Sequence, residues 1–369
     1  MLIPFDDYPV HQTAAPLAQA GSGHPDQYDR FWFNGFRDDL MFAVAFCTYP
    51  NRELMEGAFS VLRDGRQTSV FASGRMNPDP IDTRMGPIAV EIIEPMRVNR
   101  VVVDSLEHGI RADLTYTADT VAIEEPRQTQ IAGNRLVMDA TRATQWGTWT
   151  GTIEVEGETI DLGEGVRGTK DRSWGTRVTG RPHGAPMRPQ GFTFFWAPIH
   201  FDDECFHYIT FERQDGSAWL NHAAVVPKAD AAGTGQSVAS MTGAHEFTWT
   251  PGTRRVASAT ITAAGPSGEQ VEVELEPVAT FQMKGIGYGH PTWGHGTWHG
   301  ESESHGESWV VADLDPLAYE NVHVQQLVRA TWGDRTGLGV LEQIAVGPLP
   351  KYGLTGFLDG ARVLERTTA

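Results

Sequence analysis

Side chains that alternate in polarity from one residue to the next constrain this chain more than any other feature. Ile110, Ala112, Leu114 and Tyr116 alternate with Arg111, Asp113, Thr115 and Thr117. Val271, Val273 and Leu275 alternate with Glu272, Glu274 and Glu276. Successive side chains of a strand point to opposite faces, so each run reads as a half-buried strand. The breaks between such runs carry turn residues: Asp64-Gly65, Glu156-Gly157, Asp215-Gly216 and Gly265-Pro266-Ser267-Gly268. The 40 glycines and 22 prolines are spread along the chain, which favours many turns over long helices. Helical periodicity occurs only near residues 12–20 and 52–63, and both stretches also fit strands. One-sided strands joined by hairpins predict antiparallel sheets folded as sandwiches or barrels.

At 369 residues the chain exceeds the usual size of a single core, which predicts two domains. Two internal matches support a duplication. Residues 147–160 and 296–309 share seven of 14 positions, both opening on Gly-Thr-Trp. Phe31-Trp32, Asp38-Asp39 and Phe42 match Phe195-Trp196, Asp202-Asp203 and Phe206. The expected fold is all-β, two tandem lipocalin-like antiparallel barrel or sandwich domains. Its divisions are an N-terminal arm over 1–27, a barrel over 28–176, a linker over 177–191 and a second barrel over 192–369. The linker stretch holds Pro182, Pro186 and Pro189 with no apolar periodicity.

The net charge of −18 opposes contact with phosphate backbones and argues against a nucleic-acid partner. The two cysteines, Cys47 and Cys205, lie in apolar runs without metal-type spacing, and buried free thiols are expected. The sequence has no apolar run of about 18 residues, and so no expected membrane span. Nor does its N-terminus show a basic segment followed by an apolar one, and the expected location is cytoplasmic.

Two stretches could carry chemistry. Gly168-Thr-Lys-Asp171-Arg172-Ser173-Trp174-Gly175-Thr-Arg177 gathers an acid, two arginines and an indole. Shielding by Trp174 would raise the Asp171 pKa toward use as a general acid, whereas Arg172 or Arg177 would hold it ionised. A structural Asp–Arg pair with Trp174 as a core plug fits the same residues. The second stretch runs from Gly285 to Glu301 and holds Tyr288, His290, Trp293, His295, Trp298 and His299. If extended, it places His295, Thr297, His299 and Glu301 on one face and Trp298 on the other. Histidines beside a carboxylate suit proton transfer or metal binding, but His-x4-His-x3-His matches no familiar metal spacing. A Gly/aromatic structural strand is the plainer reading. The glycines form neither GxGxxG nor a phosphate loop. Trp32 and Trp196, in the aromatic openings of the two halves, either pack in cores or line an apolar cavity inside a wide barrel.

Asp171-Arg-Ser-Trp174-Gly175, following a tryptophan-bearing hairpin and preceding a second β domain, resembles the Asp-His-x-Trp-Gly signature of the carotenoid hydratase-like proteins. That superfamily is built from two lipocalin-like barrels and includes kievitone hydratase-type enzymes and lipocalin-like Diels–Alderases. The resemblance implies a cavity for an apolar terpenoid, steroid or polyketide-like substrate and no cofactor. It implies that Asp171 protonates a carbon–carbon double bond. Arg172 stands where the family has histidine, and a fixed positive charge there disfavours a neutral acid. A Diels–Alderase-like role needs only a shaped pocket and an orienting hydrogen bond.

The resulting expectation is a cofactor-free protein that binds and transforms an apolar small molecule by hydration, dehydration, isomerisation or cyclisation. Asp171, His295 and His299 are the expected catalytic residues. Trp174, Arg172, Arg177, Trp32, Trp196, Tyr288, His290, Trp298 and Glu301 are expected to bind the ligand, with no metal. The alternatives are a non-catalytic carrier of an apolar ligand and a metal-dependent enzyme using His290, His295 and His299. No oligomeric state follows from the sequence.

Overall fold

The computed structural model describes residues 14, 17–179, 190–229 and 238–362. Most of the expected linker, residues 180–189, lies outside them, as do residues 12, 13, 15 and 16; residues 17–20 form a turn and bend rather than a helix. The other helix-periodic stretch forms a strand.

The first half contributes β1 (Gln27–Arg37), β2 (Leu40–Tyr49), β3 (Leu54–Arg63), β4 (Arg66–Arg75), β5 (Arg84–Met85), β6 (Ile88–Glu94) and β7 (Val98–Ser105). It continues with β8 (Ile110–Ala118), β9 (Ile123–Glu124), β10 (Gln128–Ala132), β11 (Arg135–Val155), β12 (Glu158–Asp161) and β13 (Val166–Arg177). The second half adds β14 (Phe192–His200), β15 (Glu204–Arg213), β16 (Ala218–Pro227), β17 (Ala239–Trp249), β18 (Val256–Ala264) and β19 (Gln270–Gln282). Then follow β20 (Ser302–Val310), β21 (Val324–Trp332) and β22 (Arg335–Val346). The fold is all-β, as the alternation predicts. Among the described residues no helix is long and apolar enough to cross a membrane.

Two barrel-like sheets result. The first runs β20-β4-β3-β2-β1-β13-β11-β8-β7-β6-β5 and is nearly closed. The second, β14-β15-β16-β17-β18-β19-β21-β22, closes through the β22–β14 pairing. The chain divides into two compact units, Met1–Met187 with Gly285–Ser308, and Arg188–Lys284 with Trp309–Ala369. Residues 285–308, read from the sequence as part of the second barrel, thus group with the first unit.

The two internal matches fare differently. Phe31-Trp32 and Phe195-Trp196 both lie in the first strand of a barrel, and each Asp-Asp pair lies between the first and second strands. Gly147 lies within β11, whereas Gly296 lies in a loop before β20, so that match does not join equivalent positions.

The first barrel is filled by its own side chains. Phe33, Phe42, Tyr116 and Trp149 meet edge to face inside it. Gly35, Gly168 and Gly147 pair in one row across β1, β13 and β11. A Cβ on Gly168 would stand 2.2 Å from Trp149 Nε1, and one on Gly35 would stand 2.1 Å from Phe42 Cζ. These rings lie over bare backbone, which only glycine provides.

Strands β1 to β4 are buried on both faces, which explains why β2 reads Leu-Met-Phe-Ala-Val-Ala-Phe-Cys rather than alternating. Phe31, Phe33, Phe42, Val44, Phe46 and Phe59 face the barrel core. On the outer face, cross-strand register aligns two rows. One row is Ser173–Arg30–Cys47–Glu56–Ser73. The other is Asp171–Trp32–Ala45–Ala58–Phe71. Both rows are buried. The 285–301 segment covers part of this face: Ser73 Oγ donates to Thr297 O at 2.8 Å, and Gly285 lies against Ser60, Gln67 and Ser69.

Candidate functional site

Glu56 is the centre of the outer-face row. It sits in an apolar stretch, Leu54-Met-Glu-Gly-Ala-Phe59, and is buried by the covering segment. A buried carboxylate needs donors, and three converge on it. Tyr49 Oη and His295 Nδ1 each lie 2.7 Å from Oε1, and the Gly296 amide donates to Oε2 at 2.7 Å. Burial alone would raise the Glu56 pKa, but His295, Tyr49 and Arg30 outweigh it and hold the carboxyl below its ordinary range.

The ionised carboxylate fixes the His295 tautomer. Nδ1–H donates to Glu56, which leaves the lone pair on Nε2. Burial, with Arg30 and Arg177 nearby, lowers the imidazole pKa to about 4 against the pull of Glu56. The ring is therefore neutral at neutral pH. Its Nε2 is buried and has no hydrogen-bond partner among the described residues. Tyr288 packs edge-on against the ring, 4.4 Å between centroids. Arg30 Nη1 in turn donates to Tyr288 Oη at 2.9 Å, and Arg30 lies 3.5 Å from Tyr49 Oη.

Beside this dyad is a small recess of about 20 Å³, room for one water molecule. Ala45, Ala58, Phe71 and Ile286 form apolar walls; Glu56, His295, Thr297 and His299 add polar ones. His299 stacks on Trp293 at 3.7 Å, its pKa is lowered by burial, and its Nε2 is buried with no hydrogen-bond partner among the described residues. Two neutral imidazoles thus border one water-sized space.

Several expected site residues lie elsewhere. Residues 287–301 form a loop, not the extended strand expected, because the glycines at 287, 289, 296 and 300 adopt positive φ. The loop nevertheless brings His295, Thr297 and His299 to the recess. Glu301 is at the surface, bound by Arg75 through two hydrogen bonds of 2.7 and 2.8 Å. Trp298 is 47% exposed with the Arg75 guanidinium 5.6 Å over its ring. His290 holds the loop: its Nδ1 accepts the amides of Thr292 and Trp293, and Nε2 faces Glu307 at 3.3 Å. Among the described residues no three or more His, Cys, Asp or Glu side chains are arranged to hold a metal.

Asp171 lies in the neighbouring outer-face row, two strands from Ala45 and so about 10 Å from the recess wall. Its ion-pair partner is Arg142, at 2.6 Å, which also lies 3.7 Å from the buried Glu125. Arg172 is not that partner. As an adjacent strand residue it points to the other face, where it pairs with Asp29 and stacks on Phe31. Trp174 shares that other face and is 42% exposed, so it does not shield Asp171. Arg177 lies 5.9 Å over the Tyr288 ring, beside the dyad. Trp32 and Trp196 belong to neither barrel core, because their neighbours Phe31, Phe33, Phe195 and Ala197 take the inward positions. Trp196 instead donates to His207 Nε2 at 3.1 Å.

Sequence reasoning missed Arg30, Tyr49 and Glu56. The signal available was Glu56 as a lone charge inside the apolar run Leu54–Leu62; Arg30, beside Asp29 at the start of its strand, carried none.

The second barrel encloses another polar cluster. Tyr208 Oη lies 2.7 Å from His245 Nδ1, and Tyr352 Oη lies 2.7 Å from His245 Nε2. Glu212 accepts from Tyr352 at 2.6 Å and from Lys351 at 2.5 Å. Both His245 nitrogens have partners, and the cluster reads as a satisfied core network.

Among the solved structures similar to this chain is a putative AttH from Nitrosomonas europaea, with 13% sequence identity and a TM-score of 0.54. The match covers 91% of this chain and 98% of that one, and it shows a related two-barrel fold. No curated protein matches the chain. Residues 2–355 match the model of a family of unknown function, DUF8625, and the chain belongs to that family.

Proposed function

We propose that this protein catalyses cofactor-independent proton transfer on a small molecule with an apolar body, adding or removing water or shifting a double bond. The observation that carries the reading is His295. Its Nδ1–H is held by Glu56, its basic Nε2 is buried with no partner among the described residues, and the residue lines a recess large enough for one water. A base oriented by a carboxylate in a dry site is the arrangement general acid–base catalysis requires.

In this reading Nε2 of His295 accepts a proton from water or substrate, and Glu56 stabilises the imidazolium that forms. His299 is the second proton-transfer group. Arg30, through Tyr49 and Tyr288, keeps the resting dyad in its ionised-Glu, neutral-His state. The resemblance of Asp171-Arg-Ser-Trp174-Gly175 to the hydratase signature supports hydration over other acid–base reactions. Asp171, ion-paired to Arg142, then acts on the substrate's charge rather than as the primary proton donor.

The test is incubation of the full chain with an apolar metabolite extract in oxygen-18 water and, separately, in deuterium oxide. Label entering a metabolite with wild-type protein but not with His295→Asn supports the proposal. Identical label patterns for the two proteins would sink it. A ligand retained unchanged in native mass spectrometry would favour a carrier.

A further inference from the structure

Lys170 lies inside the first barrel, on the face of β13 opposite Asp171. It is one of only four lysines in a chain whose basic residues number 29. Its side chain is buried, the residue 4% exposed. Among the described residues its single hydrogen bond is to the neutral amide of Asn99, Nζ to Oδ1 at 2.9 Å. The Phe33 ring lies 6.0 Å away. The other charged groups on this face of β1 and β13 are Asp29, Arg37 and Arg172; Arg172 pairs with Asp29 and Arg37 with Asp39, each at 2.7 Å.

Below Lys170 the barrel is closed by the packed rings of Phe33, Tyr116 and Trp149. Toward the other end of the barrel, Gln145, the cross-strand partner of Lys170, donates to the Met96 and Thr120 carbonyls at 2.8 Å, and the apolar side chains beyond are exposed. Ile92 is the cross-strand partner of Asn99 and shares its inward face, yet is 51% exposed. Trp174, two positions beyond Arg172 on the same face, is also exposed, and so are Ile93 and Met96 in the β6–β7 hairpin. Exposed apolar side chains therefore lie at the end of the barrel nearest this amine.

We propose that Lys170 is a second reactive site, at which an aldehyde or ketone with an apolar body is captured as an imine at that end of the first barrel. The uncharged amine adds to the carbonyl carbon, and the carbonyl electron pair moves to oxygen. A proton passes from nitrogen to oxygen to give the carbinolamine. Loss of water then leaves the C=N bond, with no oxidant or reductant consumed. Asn99 orients the amine by accepting one of its hydrogens. Arginine could not substitute, since its guanidinium stays protonated. Burial and the nearby Arg172 lower the Lys170 pKa to about 8. Near neutral pH this gives on the order of a hundredfold more free amine than an ordinary lysine.

The test treats the full chain with naphthaldehyde and cyanoborohydride at mildly alkaline pH and maps adducts on all four lysines by peptide mass spectrometry. The expected result is one saturable adduct on Lys170, formed on the order of tenfold or more faster than on Lys228 or Lys351. Labelling of Lys170 at the same rate as those two, or not at all, overturns the proposal. Lys170→Met, which removes the amine at similar volume, should abolish the fast adduct; the wild-type rate comparison stands even if that variant fails to fold. None of these readouts depends on the Glu56–His295 site.

Discussion

His295 Nδ1 and Glu56 Oε1 lie 2.7 Å apart across 239 residues of sequence. The contact sets the imidazole tautomer and joins the loop before β20 to the outer face of β3.

Glu56→Ala should destabilise the first unit by about 3 kcal/mol, because three buried donors lose their acceptor. Glu56→Gln keeps an acceptor but not the charge and should cost less. Urea unfolding midpoints at constant m-value measure both.

Once a substrate is identified, His295→Asn should lower turnover by about 10²–10⁴-fold, the usual contribution of a positioned base. Binding of the same substrate should change far less. Equal losses in turnover and affinity would indicate a purely structural imidazole.

Stability should fall as pH drops from about 6.5 toward 4. His295 and His245 both have folded pKa values of about 4, below the unfolded value, with burial as the main cause. Between those limits the unfolded chain binds more protons, so stability rises with pH there and is level above. Each imidazole contributes up to about 3 kcal/mol of this loss. Glu56, also lowered, acts in the same direction at lower pH: its contribution is complete above the ordinary carboxylate range and is lost as pH falls through its folded value. Thermal melts across this range should show the slope, and it should weaken in His245→Phe.

Gly168→Ala should cost about 2–3 kcal/mol, since the added methyl meets Trp149 and the Asn34 carbonyl at 2.2 and 2.4 Å. A matching alanine at exposed Gly65 has open space but a φ of +75°, and so tests backbone strain alone. A larger midpoint loss at 168 than at 65 is the expected order.

Asp171→Asn should destabilise by about 2 kcal/mol, because the half-buried Arg142 loses its closest carboxylate and keeps only Glu125, 3.7 Å away. Trp174→Ala should change stability by roughly 0.5 kcal/mol or less, as expected for an exposed side chain. If Trp174 shielded Asp171, the two costs would be comparable.

Local sequence determined the β class, because period-two alternation is a property of neighbouring residues: Ile110 to Tyr116 shows its face before any partner strand is known. The opening hairpins of both barrels were legible for the same reason, in the matched Phe-Trp and Asp-Asp pairs. The histidine-rich stretch also announced itself, and His295 and His299 do reach one recess. Which face of a strand lies under other chain is a matter of tertiary packing. Asp171, Arg172 and Trp174 are close in sequence, but the strand sends Asp171 to one side and Arg172 with Trp174 to the other. Glu56 carried no motif of its own; its role exists only because β3 lies beneath a loop more than 200 residues later. Glycines at positive φ turned the expected strand 287–301 into that loop, and only the fold could decide where its histidines would point.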